Sequence, residues 1–293
     1  RQSLLLLLHG CLGALLEAEL VIGEELSAIE IPGEPLSLLG TAVAIGSEAG
    51  EAVVIIGAPG SGEVLAVNAL GVEQWRLSGG VGLGRRVWAD EDAAYAWLPG
   101  VGVLDGGGEV VLRAPDATAL ARCPDGGWWT GEGIGDALDC AEGGLIRSTC
   151  AEVRCTVSLE ETPGGDAEVL GETSAGSAVG WVGGQACWGD AALEDDPHPG
   201  ALHCADGSSL LGLDGDHLGA VIGADRTAGV FNKWQVPARV RIVSADGGPV
   251  WALDRAAERS RVSLAEGEGL VAVGLPGFIS ESASEGRVYL VTP

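Results

Sequence analysis

The chain has 293 residues, with 42 acidic against 16 basic side chains and a formal charge of −26. That balance excludes nucleic acid as a partner class, because phosphates need a basic surface, and leaves a self-repelling soluble surface or one that attracts cations. Glycine is abundant at 49 residues and methionine is absent, so with no Met at position 1 the chain is expected to be the remainder of a longer protein.

The first stretch, Leu4–Leu16, is strongly apolar. It is too short to span a bilayer as a helix, so no membrane insertion is expected. It resembles the apolar core of a signal peptide, with Gly10-Cys11 as a loose lipobox, but His9 and Gly10 interrupt it. The preferred reading is a strand.

From there to the last residue the chain is a succession of short apolar or alternating runs between Gly and Pro breakers. Val53–Ile56 is β-branched, Gly57–Gly60 breaks it, Glu63–Val67 alternates, and Gln74–Leu77 follows Gly71. Runs of this length between such breakers favour strands over helices. Pro59 and Pro276 lie 217 residues apart, and five steps between them give about 43 residues each, the size of a four-stranded propeller blade.

The expected fold is therefore all-β: one domain, 1–293, forming a seven-bladed β-propeller of four-stranded antiparallel blades. The units run 11–39, 40–79, 80–130, 131–173, 174–214, 215–255, and 256–293 with 3–10. Strands are named A to D outward within each unit. The first unit has Cys11–Leu15, Glu19–Ile22, Ala28–Ile31 and Pro35–Leu39. The third has Arg85–Ala89, Ala94–Leu98, Glu109–Arg113 and a D strand near Ala119–Arg122 or Trp128–Thr130. The last unit offers three strands, so the N-terminal Ser3–Gly10 is expected to supply its D strand and close the ring, removing both free edges.

Seven cysteines are present. Cys150 and Cys155 flank a hairpin turn, Cys187 and Cys204 lie on two paired strands, and Cys123 and Cys140 straddle a junction, leaving Cys11. No CxxC pair is present, which argues against a zinc ribbon. Three disulfides would imply an oxidising compartment, hence a secreted or cell-envelope protein; buried free thiols are the alternative.

The pattern carried by Gly40, Val43, Ile55, Gly57, Pro59, Gly62, Val64 and Leu65 resembles FG-GAP repeats, the units of integrin-alpha-type β-propellers. Leu98-Pro99-Gly100 with Gly108, Val110 and Leu112 repeats it, as does Leu275-Pro276-Gly277 with Gly286, Val288 and Leu290. The resemblance implies a calcium loop between strands A and B. Calcium needs several converging oxygens, and only Asp90-Glu91-Asp92 keeps enough carboxylates, against the plainer reading of a solvated acidic turn. A rival resemblance is to quinoprotein-type repeat propellers and outer-membrane assembly scaffolds, carried by Gly62–Leu77 and Arg239–Leu253. Both imply a propeller.

Asp195, Asp196 and His198, with His203 behind them, mix carboxylate and imidazole in a stiff loop and could hold a transition metal. Trp128 and Trp129 lie in an extended junction expected to emerge beside the longest B–C loops, where they would form a ligand face; burial between blades is the alternative. No nucleophile elbow, phosphate loop, zinc-helix motif or dinucleotide fingerprint is present. The A strands, expected to line the axial channel, are mostly small and apolar. The expected function is a non-catalytic interaction or adhesion module binding protein or glycan through its B–C and D–A loops. A quinoprotein- or lyase-type enzyme with an axial site, and a structural scaffold, are the alternatives.

Overall fold

In the computed structural model, the described residues run from Ala28 to Thr292, apart from 91–92, 134–135, 152–153, 163, 175–176, 191–199, 213–217, 224–225, 232–237, 245–247, 257–261 and 278–284. All regular structure among them is β, in six four-stranded antiparallel sheets and one two-stranded sheet. One blade comprises β2 (Ala42–Glu48), β3 (Glu51–Ala58), β4 (Glu63–Asn68) and β5 (Glu73–Ser78), and the next β6 (Val87–Ala89), β7 (Ala94–Leu98), β8 (Gly102–Asp105) and β9 (Val110–Arg113). The two-stranded sheet is β10 (Ala119–Arg122) with β11 (Trp128–Gly131). Three more blades follow: β12 (Ala137–Ala141) to β15 (Glu168–Ser174) through β13 (Gly144–Ala151) and β14 (Arg154–Glu160); β16 (Val179–Val182), β17 (Gln185–Asp190), β18 (Ala201–Cys204) and β19 (Ser209–Leu211); and β20 (Val221–Gly223), β21 (Arg226–Phe231), β22 (Ala238–Ser244) and β23 (Pro249–Ala256). The last sheet takes β24 (Ser263–Gly267), β25 (Leu270–Leu275) and β26 (Arg287–Val291) from the C-terminal end, and β1 (Ala28–Pro32) from the other.

This is a propeller of four-stranded blades, and it corrects the expected unit boundaries in three places. The strand that closes the last blade is β1, paired antiparallel with β26 from Ala28↔Val291 to Pro32↔Arg287. Ala28–Ile31 was expected as the C strand of a first unit; Ser3–Gly10, expected to close the ring, lies outside the described residues. Pro35–Leu39 is a loop and not a D strand. In the 80–130 unit the C strand is Gly102–Asp105, so Val110–Arg113 becomes the D strand and both D candidates form a separate sheet. Seven four-stranded blades are therefore not what the described residues form. The estimate of about 43 residues describes the steps between successive full blades, but six sheet-to-sheet steps and not five lie between Pro59 and Pro276, and the two into and out of the β10–β11 sheet are shorter.

The blades are held by side chains that alternate along each strand, since successive residues face opposite sides of a sheet. Val54 and Ile56 of β3 pack with Leu270, Ala272, Val288, Leu290 and Ile31 of the closing blade. Their neighbours Val53 and Ile55 pack the other way, with Leu83, Val87, Ala96 and Leu104. Likewise Val271, Val273 and Leu275 face Val240 and Ile242. Strands buried on both faces read as unbroken apolar runs, whereas the outer β5 alternates exposed and half-buried residues. Tryptophans fill the wedges: Trp97 and Trp188 are buried in separate interblade clusters.

Glycine recurs where one blade meets the loop leading into the next. A Cβ at Gly57 would overlap the carbonyl oxygen of Gly84, one at Gly189 that of Gly219, and one at Gly274 that of Gly40. Gly40 and Gly57, both part of the repeat pattern in the sequence, owe their place to this backbone-on-backbone contact.

Candidate functional site

The innermost strands surround a cavity of about 910 Å³. Its apolar wall comes from Val43–Ile45 of β2, Val87 of β6, Ile222 of β20 and Leu264 of β24; its polar groups gather toward the A–B turns. Asp90, Arg122, Asp139, Glu142 and Glu266 line it there, with Trp88 and Trp181. The inner wall is thus less uniformly small and apolar than the A strands alone led one to expect.

Arg122, at the end of β10, organises one side. Its Nη2 and Nε donate to Asp90 Oδ2 at 2.7 and 3.1 Å, Nη2 donates to Tyr95 Oη at 3.1 Å, and Nη1 donates to the Gly126 carbonyl. The guanidinium lies 4.5 Å from the Tyr95 ring centroid and 4.9 Å from that of Trp128. Trp128 meets Trp88 and Tyr95 edge-on, with centroids 5.1 and 5.4 Å apart. Arg86 adds a bond from Nη1 to the Leu120 carbonyl, at 3.2 Å, and burial lowers its pKa. On the far side of the two-stranded sheet, Cys123 is bonded to Cys140 of β12. The short sheet is thereby clamped between its neighbours.

Asp139 stands on β12, the strand that the Cys123–Cys140 disulfide joins to β10. Burial raises its carboxyl to about 6, against the opposing pull of the backbone N–H groups of Cys140 and Trp181, which donate to it. Trp181 lies across the A–B turn, where a Cβ at Gly143 would overlap its ring.

The residues singled out in the sequence are placed as follows. Asp90 pairs with Arg122, while Glu91 and Asp92 lie outside the described residues. Asp195, Asp196 and His198 also lie outside them; His203, on β18, faces Trp188 with ring centroids 5.8 Å apart. Among the described residues no three His, Cys, Asp or Glu side chains converge as a metal group. Trp128 and Trp129 do not form an exposed tandem. Both are half-buried, Trp128 packs inward against Trp88 and Tyr95, and Trp129, the next residue on the same strand, pairs with Ala121. The three cysteine pairs are disulfides: Cys123–Cys140, Cys150–Cys155 and Cys187–Cys204. They point to an oxidising, non-cytoplasmic environment. Cys11 lies outside the described residues. Arg122, Asp139 and Trp181 were not singled out in the sequence. A lone carboxylate beside a cysteine on an otherwise apolar inner strand was the available signal for Asp139.

The fold and the axial cavity define a β-propeller. No protein-family profile and no curated protein sequence matches the chain. Among solved structures it is similar to selenomethionine-substituted virginiamycin B lyase from Staphylococcus aureus, at 10% identity and a TM-score of 0.51, over 91% of this chain and 99% of that one. It is also similar to BamB from Moraxella catarrhalis, at 11% identity and a TM-score of 0.46, over 92% and 97%. Both are propellers. Among the described residues no helix is long and apolar enough to cross a membrane.

Proposed function

We propose that this chain is an exported, non-catalytic interaction module that binds a protein through its B–C and D–A face. The observation that carries this reading is a row of exposed apolar side chains in successive loops of that face: Leu36 at 69%, Val81 at 83% and Val101 at 38% exposure. The loops are braced against one another, Gly60 N–H donating to the Ser37 carbonyl and Gly82 N–H to the Pro59 carbonyl, each at 2.9 Å. Leu36 and Leu38 are held at φ of 64° and 54°, a conformation costly for a bulky side chain. Ser37 between them is buried and its Oγ donates to the Glu285 carbonyl at 2.7 Å. Apolar side chains displayed at a cost in strain fit a surface selected for contact. Export to the cell surface or envelope accords with the three disulfides. We further read the ring as seven positions around the axis, one filled by the short β10–β11 sheet. The quinoprotein-type repeat describes it better than FG-GAP, because calcium at the 90–92 turn would compete with Arg122 for Asp90.

Retention on immobilised protein and glycan panels tests this, comparing the native chain with Leu36→Asp/Val81→Asp/Val101→Asp. Retention on proteins that the triple variant loses supports the reading. Retention on glycans alone moves the ligand class, and no retention on either leaves the scaffold reading. An axial enzyme of lyase type is the second reading, favoured by Asp139 and Arg122 facing one cavity.

A further inference from the structure

The axial cavity lies at the A–B end, away from the face proposed for a protein partner, and its chemistry is of another kind. Its cation is already engaged: Arg122 is matched by Asp90 and covered by Tyr95 and Trp128. Asp139, on the adjoining β12, receives the backbone N–H groups of Cys140 and Trp181 and no side-chain cation among the described residues. The other charged groups facing the cavity among the described residues are Glu142 and Glu266, both acidic. The field inside a low-dielectric wall of this sign attracts positive charge. Two indoles, Trp88 and Trp181, complete the lining, and aromatic faces hold organic cations. An inner-sphere metal would need several convergent oxygens, and the described residues bring no such group together. At about 910 Å³ the cavity falls within the range of small-molecule sites.

We propose that this cavity binds a small organic cation, a primary ammonium that donates to the Asp139 carboxylate and lies against the indoles of Trp88 and Trp181. The ammonium supplies a counter-charge that no described residue gives Asp139, and the indoles shield the pair from water. Binding requires the ionised carboxylate. With Asp139 raised to about 6, affinity is full above that pH and falls below it as the carboxyl takes up a proton and can no longer neutralise the ligand.

The test uses the full chain with its disulfides intact and benzylamine as the probe, read by calorimetry and tryptophan fluorescence. Benzyl alcohol and benzoate are the neutral and anionic controls. Saturable one-to-one binding of benzylamine at about pH 8, weaker by about fivefold at about pH 5, is the expected result. Asp139→Asn should bind about tenfold less tightly at the higher pH and lose the pH dependence. Trp181→Leu should weaken binding and reduce the fluorescence change. The native chain's own pH profile keeps the test decisive should a variant fold poorly. Absence of saturable binding up to millimolar probe, equal binding of benzyl alcohol, or an unchanged affinity in folded Asp139→Asn would each overturn the proposal. None of these outcomes bears on the panel test of the opposite face.

Discussion

Arg122 donates to Asp90 across the seam between the two-stranded sheet and the preceding blade, with Nη2 and Oδ2 2.7 Å apart. The pair stands where a short sheet needs an anchor. β10 and β11 offer their neighbours half the strands of a full blade, and across that small area Arg122 adds two charged bonds to Asp90, a neutral bond to Tyr95 Oη and a contact with the Tyr95 ring. Its side chain is only 15% exposed, so its removal leaves Asp90 and Tyr95 Oη without their partner. Arg122→Met should cost about 2–4 kcal/mol in urea denaturation. Asp90 is 39% exposed, and Asp90→Asn should cost about 1 kcal/mol. The Asp90→Asn loss should be the same in calcium as in chelator, because the partner removed is the guanidinium. A loss seen only with calcium present would return Asp90 to the role of a metal ligand.

The fold class was legible because the physics of a strand is local. Val53–Ile56 and Leu270–Val273 are unbroken apolar runs because they face two neighbours, and the outer β5 alternates because it faces one. The cysteine pairs were legible for the same reason: Cys150 and Cys155 lie on either side of one hairpin, and Cys187 and Cys204 are in register on adjacent strands. What failed depended on pairing at a distance. Ala28–Ile31 looks the same whether it belongs to a first blade or closes the last, and only its register with β26 decides. Gly102–Asp105 was lost because Val101–Asp105 reads as a Gly-broken loop, and that one omission shifted two strands. The site failed for a related reason. Arg122 and Asp90 are 32 residues apart, and no spacing rule joins them.

The disulfide that crosses between sheets should matter more than the one inside a hairpin. Cys123–Cys140 and Cys187–Cys204 each span 17 positions, and Cys150–Cys155 spans 5. The chain-entropy account gives about 3 kcal/mol for the longer loops and about 2 kcal/mol for the short one. Cys123→Ser/Cys140→Ser also frees one flank of the short sheet, so its loss of Tm should exceed that of Cys187→Ser/Cys204→Ser despite the equal span. Calorimetric melts of the three double variants check this. Equal losses for the two long-span variants would mean that the clamp on β10 is carried by Arg122 alone.

Asp139 predicts how stability varies with pH. Its folded value, about 6, lies above the ordinary 3.8, so the folded state holds the proton more tightly than the unfolded chain. Its contribution is therefore fully present below about 3.8 and is lost as pH rises through about 6. Asp139→Asn removes the burden of a buried charge and should be more stable than the native chain at about pH 8, by about 1–3 kcal/mol. The advantage should shrink as pH falls from about 6 to about 4. Urea midpoints at a series of pH values measure it. A destabilised Asp139→Asn at high pH would show that the carboxylate already has a favourable partner in the free protein, and that the cavity is not waiting for a cation.

The glycine contacts between blades predict a sharp difference between two alanine substitutions. At Gly57 an added methyl would enter the carbonyl oxygen of Gly84, which is backbone and fixed by the Gly84 N–H bond to the Trp97 carbonyl at 3.1 Å. The blades must part to accommodate it, so Gly57→Ala should cost about 3 kcal/mol or more. At Gly50, in an A–B turn, nothing lies within 4 Å of the added methyl, and the cost is the left-handed backbone alone, φ being 80°. Gly50→Ala should lose only about 1–2 kcal/mol. Because Gly189 and Gly274 make the equivalent contact in other blades, Gly189→Ala and Gly274→Ala should group with Gly57→Ala. Denaturant melts of the four variants decide the matter. If Gly57→Ala fell with Gly50→Ala, the seam between blades would be soft enough to open by a methyl group, and interblade packing would not set the repeat.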